Sequence, residues 1–218
     1  MMRKSIPEMM SVIPVPAWQT HDWLLHKHYA KRIPSISYAF GLYCSGNGLQ
    51  GVCTFGKPAS PFLCVGICGG DSSALVYELN RLVVNDSCPK NTASYFVSKS
   101  LNALPGGLII VSYADIGMGH IGKVYQSTNW LYTGATKERT DIGVDDNSHS
   151  RHYDKGLDYS LNRKLRTSKH RYVYFTGNKK EKRENRKNLN YKVLPYPKGN
   201  TRRYDASYNP DIQQTLFT

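Results

Sequence analysis

At 218 residues the chain is long enough for one domain with a sizeable core, or for one domain and a tail, and no apolar run reaches membrane-span length. Its formal net charge is +13, unevenly spread: residues 1–140 carry 12 Lys/Arg against 7 Asp/Glu, and residues 141–218 carry 17 against 9. That balance disfavours a neutral binding module and favours a polyanionic partner, nucleic acid first, with a merely soluble basic surface as the alternative. The five cysteines are odd in number and no secretory leader is evident, so reduced thiols in a cytoplasmic protein are expected rather than a disulfide framework.

In chain order, residues 1–16 read as an apolar, proline-interrupted extended arm. Residues 18–29 offer a helical apolar face through Trp23, Leu24 and Leu25 and end near His28-Tyr29, which are either ligands or packing residues; Pro34 stops any helix. Residues 35–44 and 49–55 read as strands joined by the hairpin signal Ser45-Gly46-Asn47-Gly48. Residues 62–68, FLCVGIC, read as a third strand, with Cys64 and Cys68 as buried thiols on one of its faces. Residues 74–84 read as a fourth strand whose Glu78 and Arg81 are charges inside an apolar run, either paired or used. Residues 91–104 predict a helix capped by Asn91, with Ser94 in its first turn, placed to help cap it or to hold an anion.

Residues 108–111 predict a buried strand, followed at once by Ser112, Tyr113, Asp115 and His120, spaced by Gly117, Gly119 and Gly122. A strand that ends in a carboxylate, an imidazole and glycines is how α/β folds present chemistry, although a strand, loop and helix without a reactive role has the same outline. A second apolar segment, 124–132, carries Tyr125, Asn129 and Trp130. Residues 135–150 are acidic and polar and predict a loop; His149 and His152 at its end suggest no ligand set. Residues 171–177 predict a last strand, and 179–189 a short charged helix. Within 163–203 there are 15 basic residues opposed only by Glu181 and Glu184, and Lys179, Lys180, Lys182, Arg183, Arg202 and Arg203 are read as phosphate-gripping side chains. The fold expected is α+β, a mixed, largely antiparallel sheet flanked by helices. The arm (1–17) would precede a single catalytic domain (18–200), and a tail (201–218) would follow it.

Several of these pieces together resemble the phage Mom family. They are His28-Tyr29 with Arg32-Ile33-Pro34; Glu78-Leu79-Asn80-Arg81-Leu82; Asn91-Thr92-Ala93-Ser94; Ser112-Tyr113-Ala114-Asp115; and Gly119-His120-Ile121-Gly122 leading to Tyr125-Gln126-Ser127-Thr128-Asn129-Trp130 and Tyr132. Tyr172 to Gly177 and Pro195-Tyr196-Pro197-Lys198 fit as well. The resemblance runs from about residue 20 to 200. It implies an acetyltransferase-like (GNAT-like) fold and conversion of adenine in double-stranded DNA to N6-carbamoylmethyladenine, which protects phage DNA from host restriction in the host cytoplasm. It further implies iron held by His28, Tyr29 and Asp115, and activity that depends on Arg81, Ser94 and Tyr125. The chain departs from ordinary acetyltransferases at Asn85-Asp86-Ser87-Cys88-Pro89-Lys90, where their glycine-rich pyrophosphate loop would stand, so an acetyl-CoA site is absent there or built differently. Acetyl transfer to another substrate and DNA binding without catalysis stay open, as does a homodimer.

Overall fold

The computed structural model describes residues 9–142 and 163–201. The chain enters on β1 (Met10–Pro14), which pairs antiparallel with β2 (Tyr38–Cys44), so part of the expected arm is an edge strand of the sheet. The segment between them is not one regular helix but a 3₁₀ turn at Ala17–Thr20 and a π-helical turn at Trp23–Lys27. Gly46 and Gly48 take positive φ and reverse the chain into β3 (Gly48–Gly56), as the hairpin signal predicts.

The expected strand at 62–68 is instead helix α1 (Pro61–Cys68). The reason is local. Ser60 Oγ accepts the Leu63 N–H, Pro61 sits where a helix tolerates it, and Gly69 at φ 78° ends it. Cys64, Ile67 and Cys68 then bury one helical stripe while Phe62 and Val65 face outward. The two thiols do share a face, but of a helix, and all five cysteines are free.

Strand β4 (Val76–Val84) pairs with β3, and helix α2 (Thr92–Ala103) carries the chain across to β5 (Ile109–Asp115), parallel to β4. Asn91 does not cap α2 with its side chain; it takes the left-handed region at φ 70°. Its carbonyl instead accepts the Ser94 hydroxyl at 2.9 Å and the Tyr95 N–H at 3.0 Å. A short helix α3 (Lys123–Ser127) and β6 (Leu131–Ala135) follow. Strand β7 (Arg139–Ile142) pairs with β8 (Arg163–Arg166) in a separate two-stranded sheet. Residues 143–162, with His149 and His152, lie outside the described residues. Strand β9 (Lys169–Phe175) slots between β5 and β6, and the basic helix α4 (Lys179–Lys187) closes the order.

The main sheet therefore runs β1-β2-β3-β4-β5-β9-β6, with the β4/β5 pair parallel and every other pairing antiparallel. This is the mixed, largely antiparallel sheet flanked by helices that the pattern predicts. Alternation along β5 sends Ile110 and Ala114 to one side, where Phe40, Leu42, Phe55, Phe96, Val97, Trp130 and Tyr172 pack under α2. Ile109 and Val111 go to the other side, against Cys64, Ile67, Val76 and Val173 under α1. Each such fully buried side chain contributes roughly 1.5–3 kcal/mol. Among the described residues no helix is long and apolar enough to cross a membrane.

One close approach ties the segment after residue 28 to the sheet. Gly56 has no side chain where the Ser35 carbonyl sits, and Asn80 Nδ2 donates to that carbonyl at 2.8 Å. Gly56→Ala forces backbone apart. It is expected to lower stability by about 1–3 kcal/mol, read as a shifted urea midpoint with unchanged slope; a midpoint equal to wild type would show that the Ser35 backbone yields freely.

Candidate active site

The site begins where β4 and β5 part. They pair as Val76↔Ile109, Tyr77↔Ile110 and Glu78↔Val111, and then diverge. Ser112 spans the widening gap: its Oγ donates to the Leu79 carbonyl at 2.8 Å and shares a second 2.8 Å bond with the Tyr125 hydroxyl. The Tyr125 ring lies 5.1 Å from both Trp130 and Tyr172, so the side chain is a core aromatic whose hydroxyl reaches the fork from behind. Burial pushes its phenol far up.

A β-bulge sets what faces the fork. Thr54 pairs with Arg81 while Phe55 pairs with Leu79, leaving Asn80 as the extra residue. In a regular strand, residues three apart point to opposite faces. The bulge undoes that for Glu78 and Arg81. Leu79 packs with Phe55 on the α2 side. Glu78 follows Val76 onto the α1 side, and Arg81 joins it there opposite Thr54. Tyr113 and Asp115, two and four residues on from Val111 in β5, share that side.

The second wall comes from the front of the chain. The His28 N–H donates to the Trp23 carbonyl at 3.0 Å, and the His28 carbonyl accepts the Lys31 N–H at 2.9 Å. Lys31 takes φ 40°, so the chain bends just after Tyr29-Ala30. The neighbouring rings of His28 and Tyr29 stack, 4.4 Å apart and 29° from parallel, instead of pointing away from each other.

The charges confirm the convergence. Burial, then the fields of Arg81, Arg32 and His120, lower His28 to about 3. Burial, with Asp115 next in weight, raises Tyr29 to about 12. Burial also holds the Glu78 carboxyl above its usual range against Arg81, Lys169 and Arg32, and lowers Arg81. Burial alone would raise Asp115 too. Lys169 outweighs it, with the bonds from Thr167 and Gly117, and keeps the carboxyl below its ordinary value. His28, Tyr29, Arg81 and Asp115, drawn from three distant segments, are thus one electrostatic unit, with the Tyr125 hydroxyl behind it.

Ser94 is not part of that cluster. It lines a cleft of about 710 Å³ with Asn91, Ser98, Asn129, Lys182 and Arg186, none of which belongs to the His28 group. Of the expected phosphate-gripping residues, Lys179, Lys180, Lys182 and Arg183 ride on α4, whose start is fixed by a reciprocal Asn178–Glu181 capping box. Lys182 stands over the Tyr174 ring at 5.1 Å. Arg202 and Arg203 lie outside the described residues.

As placed, His28, Tyr29 and Asp115 do not fit an iron ion. His28 Nδ1 accepts the Ala30 N–H at 3.0 Å, so the neutral ring carries its proton on Nε2, whereas a metal-bound histidine donates from its second nitrogen. Asp115 Oδ1 accepts from Gly117 N at 3.0 Å and Thr167 Oγ1 at 2.7 Å, and Oδ2 pairs with Lys169 at 2.7 Å. A metal among them requires both Ala30 and Lys169 to release their partners. Among the described residues no three His, Cys, Asp or Glu side chains form a metal-holding group.

Sequence reasoning left out of the site Glu78, Tyr113, Thr167 and Lys169. Glu78 carried a signal, a carboxyl in an apolar run. Lys169 carried none, because its place opposite Asp115 exists only through the β5/β9 register.

Two outcomes follow. Lys169→Met leaves the Asp115 carboxylate half-paired in a site where its side chain is 12% exposed. It is expected to cost about 1–3 kcal/mol, reduced because Lys169 itself is 37% exposed, and Asp115→Asn in the same chain should restore most of it. His28 has a folded value below its unfolded 6.5, so the unfolded chain binds the extra proton. Its contribution is complete above pH 6.5 and declines as pH falls toward 3. Stability measured from pH 7 to 4 should drop less steeply in His28→Gln than in wild type.

The chain is 27% identical over 205 residues to the methylcarbamoylase Mom of Escherichia phage Mu, covering 87% of this chain and 84% of that protein. Solved structures similar to it include a GNAT-family acetyltransferase of Bacillus cereus (TM-score 0.44, 12% identity, 78% of this chain and 99% of that one). Another is the histone acetyltransferase HPA2-related acetyltransferase of Corynebacterium glutamicum (TM-score 0.44, 13% identity, 78% and 98%). The Mom protein family matches residues 9–198, almost the whole described chain, and this protein belongs to that family.

Proposed function

We propose that this protein is a phage DNA-modifying transferase that converts adenine in double-stranded DNA to N6-carbamoylmethyladenine and thereby shields that DNA from restriction. The observation that supports it best is the assembly of His28-Tyr29, Arg81 and Asp115 at the β4/β5 fork. The relative from phage Mu is named a methylcarbamoylase.

The chemistry suits such a site. The exocyclic amine of adenine is a weak nucleophile because its lone pair is delocalised into the ring. It also sits at a paired base edge, so the base must leave the stack, at a cost of a few kcal/mol. The product contains an N–CH2 bond, which simple acyl transfer does not make. What the chain's own residues supply is a polar recess with a neutral imidazole, an un-ionised phenol, a guanidinium and two carboxyls. Such a recess orients a planar, uncharged, hydrogen-bonding ligand. The exposed cations of α4, with the basic run around them, hold phosphates.

Mass spectrometry of nucleosides from plasmid DNA co-expressed with the protein is the direct test. A carbamoylmethyl adduct on adenine is expected with wild type, and a loss of about 100-fold or more with Arg81→Ala, on the scale of other single-residue contributions to the reacting centre. Acetyl-CoA binding by calorimetry together with unmodified DNA would replace this reading with acetyl transfer, and full DNA protection by Asp115→Ala would replace it with passive binding. Affinity for duplex DNA should fall steeply with salt. Lys180→Ala and Arg183→Ala should each reduce the slope of log K against log salt by about 1.

A further inference from the structure

We propose that Glu78 recognises the exocyclic amine of the target adenine, its carboxyl accepting the hydrogen bond that N6 donates once the base is turned into the fork. This rests on the function proposed above and names the group that selects the base.

The position comes first. Glu78 is the last residue of β4 that pairs with β5, opposite Val111, so it stands at the vertex of the fork. The bulge at Asn80 keeps it on the same side as Arg81, Tyr113 and Asp115. It is partly buried.

The second argument compares Glu78 with the other charged groups of the site and with His28. An amine needs a lone pair to donate to, and Arg32, Arg81 and Lys169 have none. Asp115 is taken up by Lys169, Thr167 and Gly117. His28 Nδ1 is taken by the Ala30 N–H. The Glu78 carboxyl feels Arg81, Lys169 and Arg32 through space, yet among the described residues it accepts no hydrogen bond and makes no ion pair. Its oxygens are not among the buried polar atoms that lack a partner, so water reaches them, and a ligand donor at that point takes the place of that water.

The third argument is selectivity. A site built to accept from an amine rejects a base that lacks it, because the acceptor is then left unpaired, and it repels a carbonyl presented at the same place. Adenine offers N–H there; hypoxanthine offers C=O, and unsubstituted purine offers only C–H.

The test uses the full chain and three DNA duplexes, each with a short central unpaired stretch of adenine, purine or hypoxanthine nucleotides. Wild type is expected to bind the adenine probe about tenfold or more tighter than either other probe. Glu78→Ala, and Glu78→Met as an unbranched side chain of similar length without a strong acceptor, should bind all three alike, with the affinity wild type shows for purine. That level, set by phosphate contacts, also reports that each variant is folded. Equal binding of the three probes by wild type overturns the proposal, as does an adenine preference that survives in Glu78→Ala or in Glu78→Met. Failure of the proposed function looks different: the wild-type preference for adenine persists while nucleosides from co-expressing cells contain only unmodified adenine.

Discussion

Two parallel strands that hydrogen-bond for three residues and then separate create the space on which this structure depends. Parallel strands ordinarily continue side by side, and parting them leaves backbone groups in want of partners. Here Ser112 satisfies the Leu79 carbonyl, and the Tyr125 hydroxyl satisfies Ser112 in turn. The aromatic layer of Tyr125, Trp130 and Tyr172 then backs the fork with solid core. The rest of the candidate site is arranged around that fork.

Charge would be difficult to place in such a spot without the bulge in β4. One extra residue, Asn80, brings Glu78 and Arg81 to a common side and offers its amide both to Thr54 and to the Ser35 carbonyl. The same residue thereby sets the side that Glu78 and Arg81 share and anchors the segment that follows His28-Tyr29. Burial lowers both His28 and Arg81 and raises Tyr29 and Glu78. Only Asp115, with Lys169 2.7 Å away, is driven toward its charged form. The recess consequently combines one stabilised ion pair with groups that favour neutrality.

The basic charge lies in a different part of the molecule. Helix α4 carries its cations on an element held by a capping box, not by apolar burial, and none of its residues is fully buried. On the proposed function, grip on a polyanion and chemistry on one base would be tasks of separate elements, in line with the general division between backbone contacts that position and local contacts that specify.

Much was legible in the chain itself. The hairpin at Gly46 and Gly48, the strands 38–44 and 76–84, helix α2, and the strand that ends in Asp115 follow from short-range rules: turn glycines, alternation, and a 3.6-residue stripe. So did the placing of His28-Tyr29 and Asp115 among the candidate groups, through motif resemblance. Segment 62–68 was misread because a short apolar run has no period of its own, and the Ser60-Pro61 start decides it locally. Other features lay beyond any local rule. The fork between β4 and β5, the pairing of Lys169 with Asp115 across 54 positions, the seat of Ser94 in a different cleft, and the union of residues 28 and 115 all depend on which strand lies beside which. Periodicity along a chain encodes which face a side chain takes; only strand order and register, set by contacts distant in sequence, determine what stands opposite it.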